Sequence, residues 1–129
     1  MSVDREENPA DIIFDIYPKE LRKAKIAVMT AGNGVGVEFF EFIDPKMTQA
    51  AAFDITRGGV FHVAVTDPHP EELCSKIIAA GGKKIGKPVS PFPLSVDGFK
   101  DGALYLQDPW GNTIEIVSCN LELLLANRS

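Results

Sequence analysis

Leu104-Tyr105-Leu106-Gln107-Asp108-Pro109-Trp110-Gly111-Asn112-Thr113-Ile114-Glu115 is the stretch from which the fold is read. Ala103 to Gln107 and Asn112 to Ser118 are short β-rich runs. Between them Asp108-Pro109-Trp110-Gly111 supplies turn chemistry: an Asp whose side chain can bond the backbone ahead of it, a Pro with fixed φ and a Gly tolerant of positive φ. Side chains alternate across a strand, so Ile114 and Ile116 share an apolar face, while Glu115 points the other way with Thr113 and Val117.

Working outward from this hairpin, Lys83 to Ile85 reads as another short strand. Before it, Asp67-Pro68-His69-Pro70-Glu71-Glu72 opens a helix with a capping Asp, tolerated prolines and acidic residues at the dipole-favoured end. Leu73, Ile77 and Ala80 continue it at helical spacing, and Gly81-Gly82 stops it. Gly59 to Thr66 is a strand, with Phe61, Val63 and Val65 on the face toward that helix and His62 on the other beside Val60 and Ala64. The second half is thus a βαβββ unit over residues 59–118, followed by a tail, 119–129, in which Leu121 to Leu125 suggests a helical turn.

The first half, 12–58, is shorter in pattern. Residues 1–11 are polar and proline-marked and read as a lead-in. Ile12 to Tyr17 is an apolar run suited to a strand, closed by Pro18. Ala24 to Thr30 and Val35 to Ile43 are β-rich and separated by Ala31-Gly32-Asn33-Gly34, whose Asn-Gly pair favours a hairpin. With neither a Lys nor a helix start after it, this Gly-Asn-Gly is a turn and not a phosphate loop. Val37 and Phe39 share one face of the second hairpin strand with Glu41, a solvated or salt-bridged residue, and Glu38 shares the other with Gly36 and Phe40. Asp44 to Gly58 reads as a linker, and residues 12–129 as one α+β domain.

The 129 residues are 45% hydrophobic and 24% charged, an ordinary globular composition. A net charge of −5, with Arg22-Lys23 and Lys25 the one notable basic group, argues against nucleic acid as a partner. The polar start and the absence of a long apolar run argue against a membrane partner and for a cytoplasmic location. Cys74 and Cys119 have no metal-like spacing and read as packed thiols. His69, between two prolines, reads as a surface residue, and Trp110 as packed over its hairpin.

Three strands each aim one metal-ligand type, Glu38, His62 and Glu115, at the less apolar face of a sheet. Such a mixed nitrogen and oxygen set suits zinc, iron(II), manganese, nickel or cobalt and leaves positions open for a substrate. The same residue types serve equally as hydrogen-bonded or solvated strand positions.

The Leu104–Glu115 segment resembles the closing signature of the vicinal oxygen chelate superfamily, the glyoxalase I, bleomycin-resistance and extradiol dioxygenase group, in which a D-P-x-G-N turn leads to a strand carrying a Glu ligand. Gly59-Val60-Phe61-His62-Val63-Ala64-Val65 is similar to the strand that supplies its His ligand, and Val35-Gly36-Val37-Glu38-Phe39-Phe40-Glu41-Phe42 to the last strand of its first module. The resemblance implies paired βαβββ modules forming a cupped half-barrel around a divalent metal held by Glu38, His62 and Glu115. It further implies a small oxygen-chelating substrate, a homodimer, and glyoxalase-like lyase, isomerase or epimerase chemistry in which Glu115 or Glu38 moves a proton. Relatives of this kind begin with a strand carrying a further ligand, usually His, and a helix; here no His precedes Glu38, so the first module reads as incomplete and the site as either three-liganded or empty and inactive in this form. Tyr105 matches a substrate-contacting tyrosine of the extradiol dioxygenases, whose additional His is replaced by Val96-Asp97-Gly98. A drug-sequestering protein of the bleomycin-resistance kind, with Phe40 and Trp110 lining the cup, is the alternative without chemistry.

Overall fold

The computed structural model describes residues 1–32, 34–48, 53–56, 58–89, 102–118 and 122. The chain divides into two compact units, Met1–Gln49 and Ala50–Ser129. The class is α+β: one unit is built on a three-stranded antiparallel sheet, the other on a four-stranded mixed sheet, and neither sheet closes on itself among the described residues.

In the first unit, β1 (Ser2–Asp4), β2 (Lys23–Thr30) and β3 (Gly36–Asp44) lie in the order β1-β2-β3. The β2–β3 pair is the expected hairpin: Ala31 N–H donates to Val35 O at 2.8 Å, Gly34 N–H to Ala31 O at 3.0 Å, and Gly34 takes φ +82°, which its missing Cβ permits. Asn33 lies outside the described residues. Pairing of Ala24 with Phe42, Ile26 with Phe40 and Val28 with Glu38 puts these six on one face, and Val3, opposite Ala24, joins them. Val3, Ala24 and Ile26 are buried with Phe14 and Leu21, with Ile13, Tyr17, Phe40 and Phe42 packed against them.

Two expectations are corrected in this unit. The polar lead-in contributes β1, whose Val3 is a core residue at 2% exposure. Ile12 to Tyr17 contains not a strand but a one-turn helix, α1 (Ile13–Ile16), with Ile13 N–H donating to the Asp11 carboxylate at 3.2 Å. Helical spacing gathers Ile13, Phe14 and Tyr17 toward the core and leaves Ile12 and Ile16 exposed, whereas strand alternation would have buried Ile12, Phe14 and Ile16 together. Ion pairs tie the strands at the end where β2 begins: Lys23 Nζ to Asp4 at 2.7 Å, and Arg22, which precedes β2, to Asp44.

The second unit runs β4 (Val63–Thr66), α2 (Pro70–Ala79), β5 (Lys83–Val89), β6 (Ala103–Gln107) and β7 (Thr113–Val117), the expected βαβββ order. Its sheet order is β4-β7-β6-β5, so the first strand returns beside the last, parallel to it. Leu104, Leu106 and Ile116 are fully buried with Cys74 of α2, and Val65, Leu73 and Ile77 pack around them. This is the apolar face read from the alternation; Ala80 is exposed, beyond the helix end.

α2 begins where Asp67 Oδ1 accepts the His69 N–H at 2.7 Å, with Pro70 at the first helical position and Glu71 and Glu72 in the first turn. At its end Gly81 takes φ +97°, and Gly82 lies so close to β6 that a Cβ there would stand 2.6 Å from Gln107 O. The Gly-Gly stop therefore also lets the helix end approach the sheet. His69 is exposed, as expected. Leu121 to Leu125, apart from Glu122, together with Cys119 and Val96-Asp97-Gly98, fall outside the described residues.

Candidate functional site

The β6–β7 hairpin positions two of the expected site residues. Asp108 organises the turn: Oδ1 accepts the backbone N–H groups of Trp110 at 2.9 Å and Asn112 at 2.8 Å, and Oδ2 accepts Asn112 Nδ2 at 2.7 Å. Gly111, at φ +93°, donates its N–H back to Asp108 O at 3.1 Å. Trp110 does not cover the hairpin; it is 61% exposed, because these bonds engage the turn backbone and leave its ring outside. The turn sets a register in which Tyr105 stands directly across from Glu115. Both point away from α2, on the face shared with Ala103, Gln107, Thr113 and Val117.

His62 joins this face from the other edge of β7. Gly59 takes φ +110°, and the ladder begins only at Val63, so the expected strand from Gly59 shortens to Val63–Thr66. Ala64 pairs with Glu115, and His62, just before β4, reaches the same carboxylate: Nε2 lies 3.0 Å from Glu115 Oε2. Tyr105 hydrogen-bonds Glu115 as well, and burial first, then the charge and hydrogen bond of Glu115, raise its phenol above the ordinary value. His62 and Tyr105 thus both meet Glu115 from neighbouring elements. The His62 and Glu115 side chains keep 29% and 18% exposure, while Thr113 and Val117 beside Glu115 are buried, so Glu115 is where this face of β7 remains open.

The separation admits a metal. Two ligand atoms each about 2.1 Å from one ion lie about 3.0 Å apart at an octahedral angle and about 3.4 Å apart at zinc's tetrahedral angle, and His62 Nε2 and Glu115 Oε2 stand 3.0 Å apart as a direct pair. His62 Nδ1 is buried and has no hydrogen-bond partner among the described residues, so the far side of the ring lacks the orienting acceptor that usually accompanies a ligand His.

The structure brings His62, Tyr105 and Glu115 together in the second unit. Glu38 belongs to the first, exposed on β3 opposite Val28 and on the face that farther along carries Ile26 and Phe40. Among the described residues no three His, Cys, Asp or Glu side chains converge. Phe40, a candidate cup residue, stacks on Phe42 at 5.7 Å and meets Tyr17 at 5.5 Å within the first core. Glu41 pairs with Lys25 at 3.1 Å.

Phe61 was expected with Val63 and Val65 on the helix-facing side. Its ring instead meets His62 at 5.0 Å and Tyr105 at 5.8 Å, and Phe53 meets it at 5.8 Å. Alternation governs residues inside a ladder, and Phe61 lies before it. Gly58-Gly59 is the signal in the sequence that the strand starts late. No protein-family model, curated protein or solved structure matches the chain.

Proposed function

We propose that the chain is a metal-dependent enzyme of glyoxalase-like character, a lyase, isomerase or epimerase acting on a small substrate that presents adjacent oxygens. The observation that carries this is the 3.0 Å approach of His62 Nε2 to Glu115 Oε2 on the side of the sheet away from α2, with Tyr105 on the same carboxylate. His62 and Glu115 are the protein ligands, both from the second unit; Glu38, expected from the sequence as a third, belongs to the other unit and is not part of this assignment. On this reading the second unit is a module of that kind, supported by its βαβββ order and its β4-β7-β6-β5 arrangement.

A divalent ion bound there supplies Lewis acidity, stabilising negative charge on substrate oxygen. The chain's own groups handle the proton. Glu115 accepts one from the carbon beside the substrate oxygens and returns it on the same face to the neighbouring atom, so the proton count is unchanged overall. Tyr105 stays a phenol through the neutral range, its ionisation displaced upward, and its O–H holds the Glu115 carboxylate in place. His62 would sit beside that carboxylate as the second ligand of the same ion.

The test is metal content by inductively coupled plasma mass spectrometry on untagged protein purified without chelator and then equilibrated with each of the five candidate metals. About one equivalent in the wild type, lost in Glu115→Ala and in His62→Ala, is the expected result. Retention by both variants, or no binding of any of the five by the wild type, would refute the reading.

A further inference from the structure

We propose that Phe61 and Phe53 form a wall that recognises a planar apolar group on the substrate, so that the site selects aryl-bearing oxygen chelators over short aliphatic ones. The proposal rests on the reading of His62 and Glu115 as the oxygen-handling pair.

The argument starts from where Phe61 is not. The helix-side core of the second unit consists of Cys74, Leu104, Leu106 and Ile116 with Val65, Leu73 and Ile77 around them, and Phe61 is no part of it. The left-handed turn at Gly59 and the late start of β4 leave Phe61 outside the ladder, and its ring lies edge-on to His62, with the two ring planes at 90°. It continues to Tyr105 at 5.8 Å and to Phe53 at 5.8 Å, and His62 and Tyr105 close the group at 5.2 Å. Four rings are thus linked, two of which, His62 and Tyr105, lie against the Glu115 carboxylate. None stacks face to face on another: the interplanar angles are 46°, 51°, 75° and 90°.

Phe53 remains 40% exposed and Phe61 is half-buried. Two phenyl rings left partly in water beside a polar pair lose hydration cost when a third flat ring covers them, and tilted rings offer both edge and face to it. An acyl group of one or two carbons, held by its oxygens at His62 and Glu115, has too little apolar surface to gain from that cover. A phenyl group in the same place gains it fully.

Acetohydroxamate and benzohydroxamate share one bidentate oxygen chelator and differ in the ring alone. Isothermal titration calorimetry of both, on wild type, Phe61→Ala and Phe53→Ala, with and without zinc, isolates the wall. Benzohydroxamate is expected to bind the wild type about tenfold tighter or more, and the preference to fall to about threefold or less in Phe61→Ala. Phe53→Ala, at a position already in contact with solvent, gives an intermediate preference and carries the test if Phe61→Ala does not fold. Equal affinity for the two probes, no binding of either, or a preference that survives both substitutions would overturn the proposal. A ring preference that persists when zinc fails to bind would instead overturn the metal reading and leave the wall standing.

Discussion

Replacing Asp108 by Ala removes the bonds its own side chain makes in the β6–β7 turn and leaves the one from Gln107 Nε2 to Gly111 O. Three bonds go: those from the Trp110 N–H, the Asn112 N–H and Asn112 Nδ2. A hydrogen bond to a charged group contributes about 1.5–3 kcal/mol and an ordinary one about 1 kcal/mol. The turn is exposed, so water replaces the lost acceptor and the lower figure applies. Three bonds then give a loss of about 2–3 kcal/mol. Asp108→Asn keeps one oxygen, enough for the two backbone donors, but turns an amide toward the Asn112 amide, for a loss of about 1 kcal/mol. Urea unfolding followed by circular dichroism measures both. Because this turn holds Tyr105 opposite Glu115, Asp108→Ala should also weaken any ligand that uses the pair, while Asp108→Asn largely preserves it. A loss below about 0.5 kcal/mol for Asp108→Ala, or equal losses for the two variants, would refute the assignment of the turn to this side chain.

Two further outcomes follow from the cores and the ion pairs. Leu106→Ala, at a fully buried position, should cost about 3 kcal/mol in urea unfolding, whereas Val63→Ala, 52% exposed in the same sheet, should cost less than about 1 kcal/mol; similar costs would show that the helix-side core is misplaced. The Asp4 carboxyl is held below its usual value of 3.8, first by the hydrogen bond from Lys23 and then by the Glu6 N–H. A carboxyl depressed in the folded state stabilises above its unfolded pKa, and that contribution disappears as pH falls through the folded value. Thermal melts from pH 6 to pH 2 should therefore show a steeper fall below pH 3.8 for wild type than for Asp4→Asn, and parallel curves would exclude the linkage.

The second unit was legible because several local signals agreed. Asp108 to Asn112 announced a turn, Ile114 and Ile116 a buried face, and Asp67 to Gly82 a helix with both ends marked. The same alternation placed Glu115 on the side of the sheet where the structure has it, across from Tyr105. Where pattern failed, it was short. Ile12 to Tyr17 contains too few residues for a period of 2 to be told from one of 3.6, and only the packing of Phe14 and Tyr17 decides. Ser2–Asp4 carries one apolar residue, and nothing local marks Val3 as core; its partner Ala24 does that across the sheet. Phe61 shows the limit for the site. Its role depends on where the ladder starts, which the backbone at Gly59 determines and side-chain alternation does not reveal.

β4 and β7 pair in parallel although about fifty residues separate Ala64 from Glu115, and that pairing brings His62 to its carboxylate. Contacts between such distant positions form late and slowly, because the intervening chain must be organised before its ends can meet. The pairing of longest sequence separation in this sheet is thus also the one that creates the site. A molecule that binds His62 and Glu115 together has nothing to hold on the unpaired chain, so it acts as a clasp on the finished sheet. At a hundred times its dissociation constant it would add about 2.7 kcal/mol to the stability of the closed arrangement, slowing the release of β4 from β7 more than speeding their first encounter.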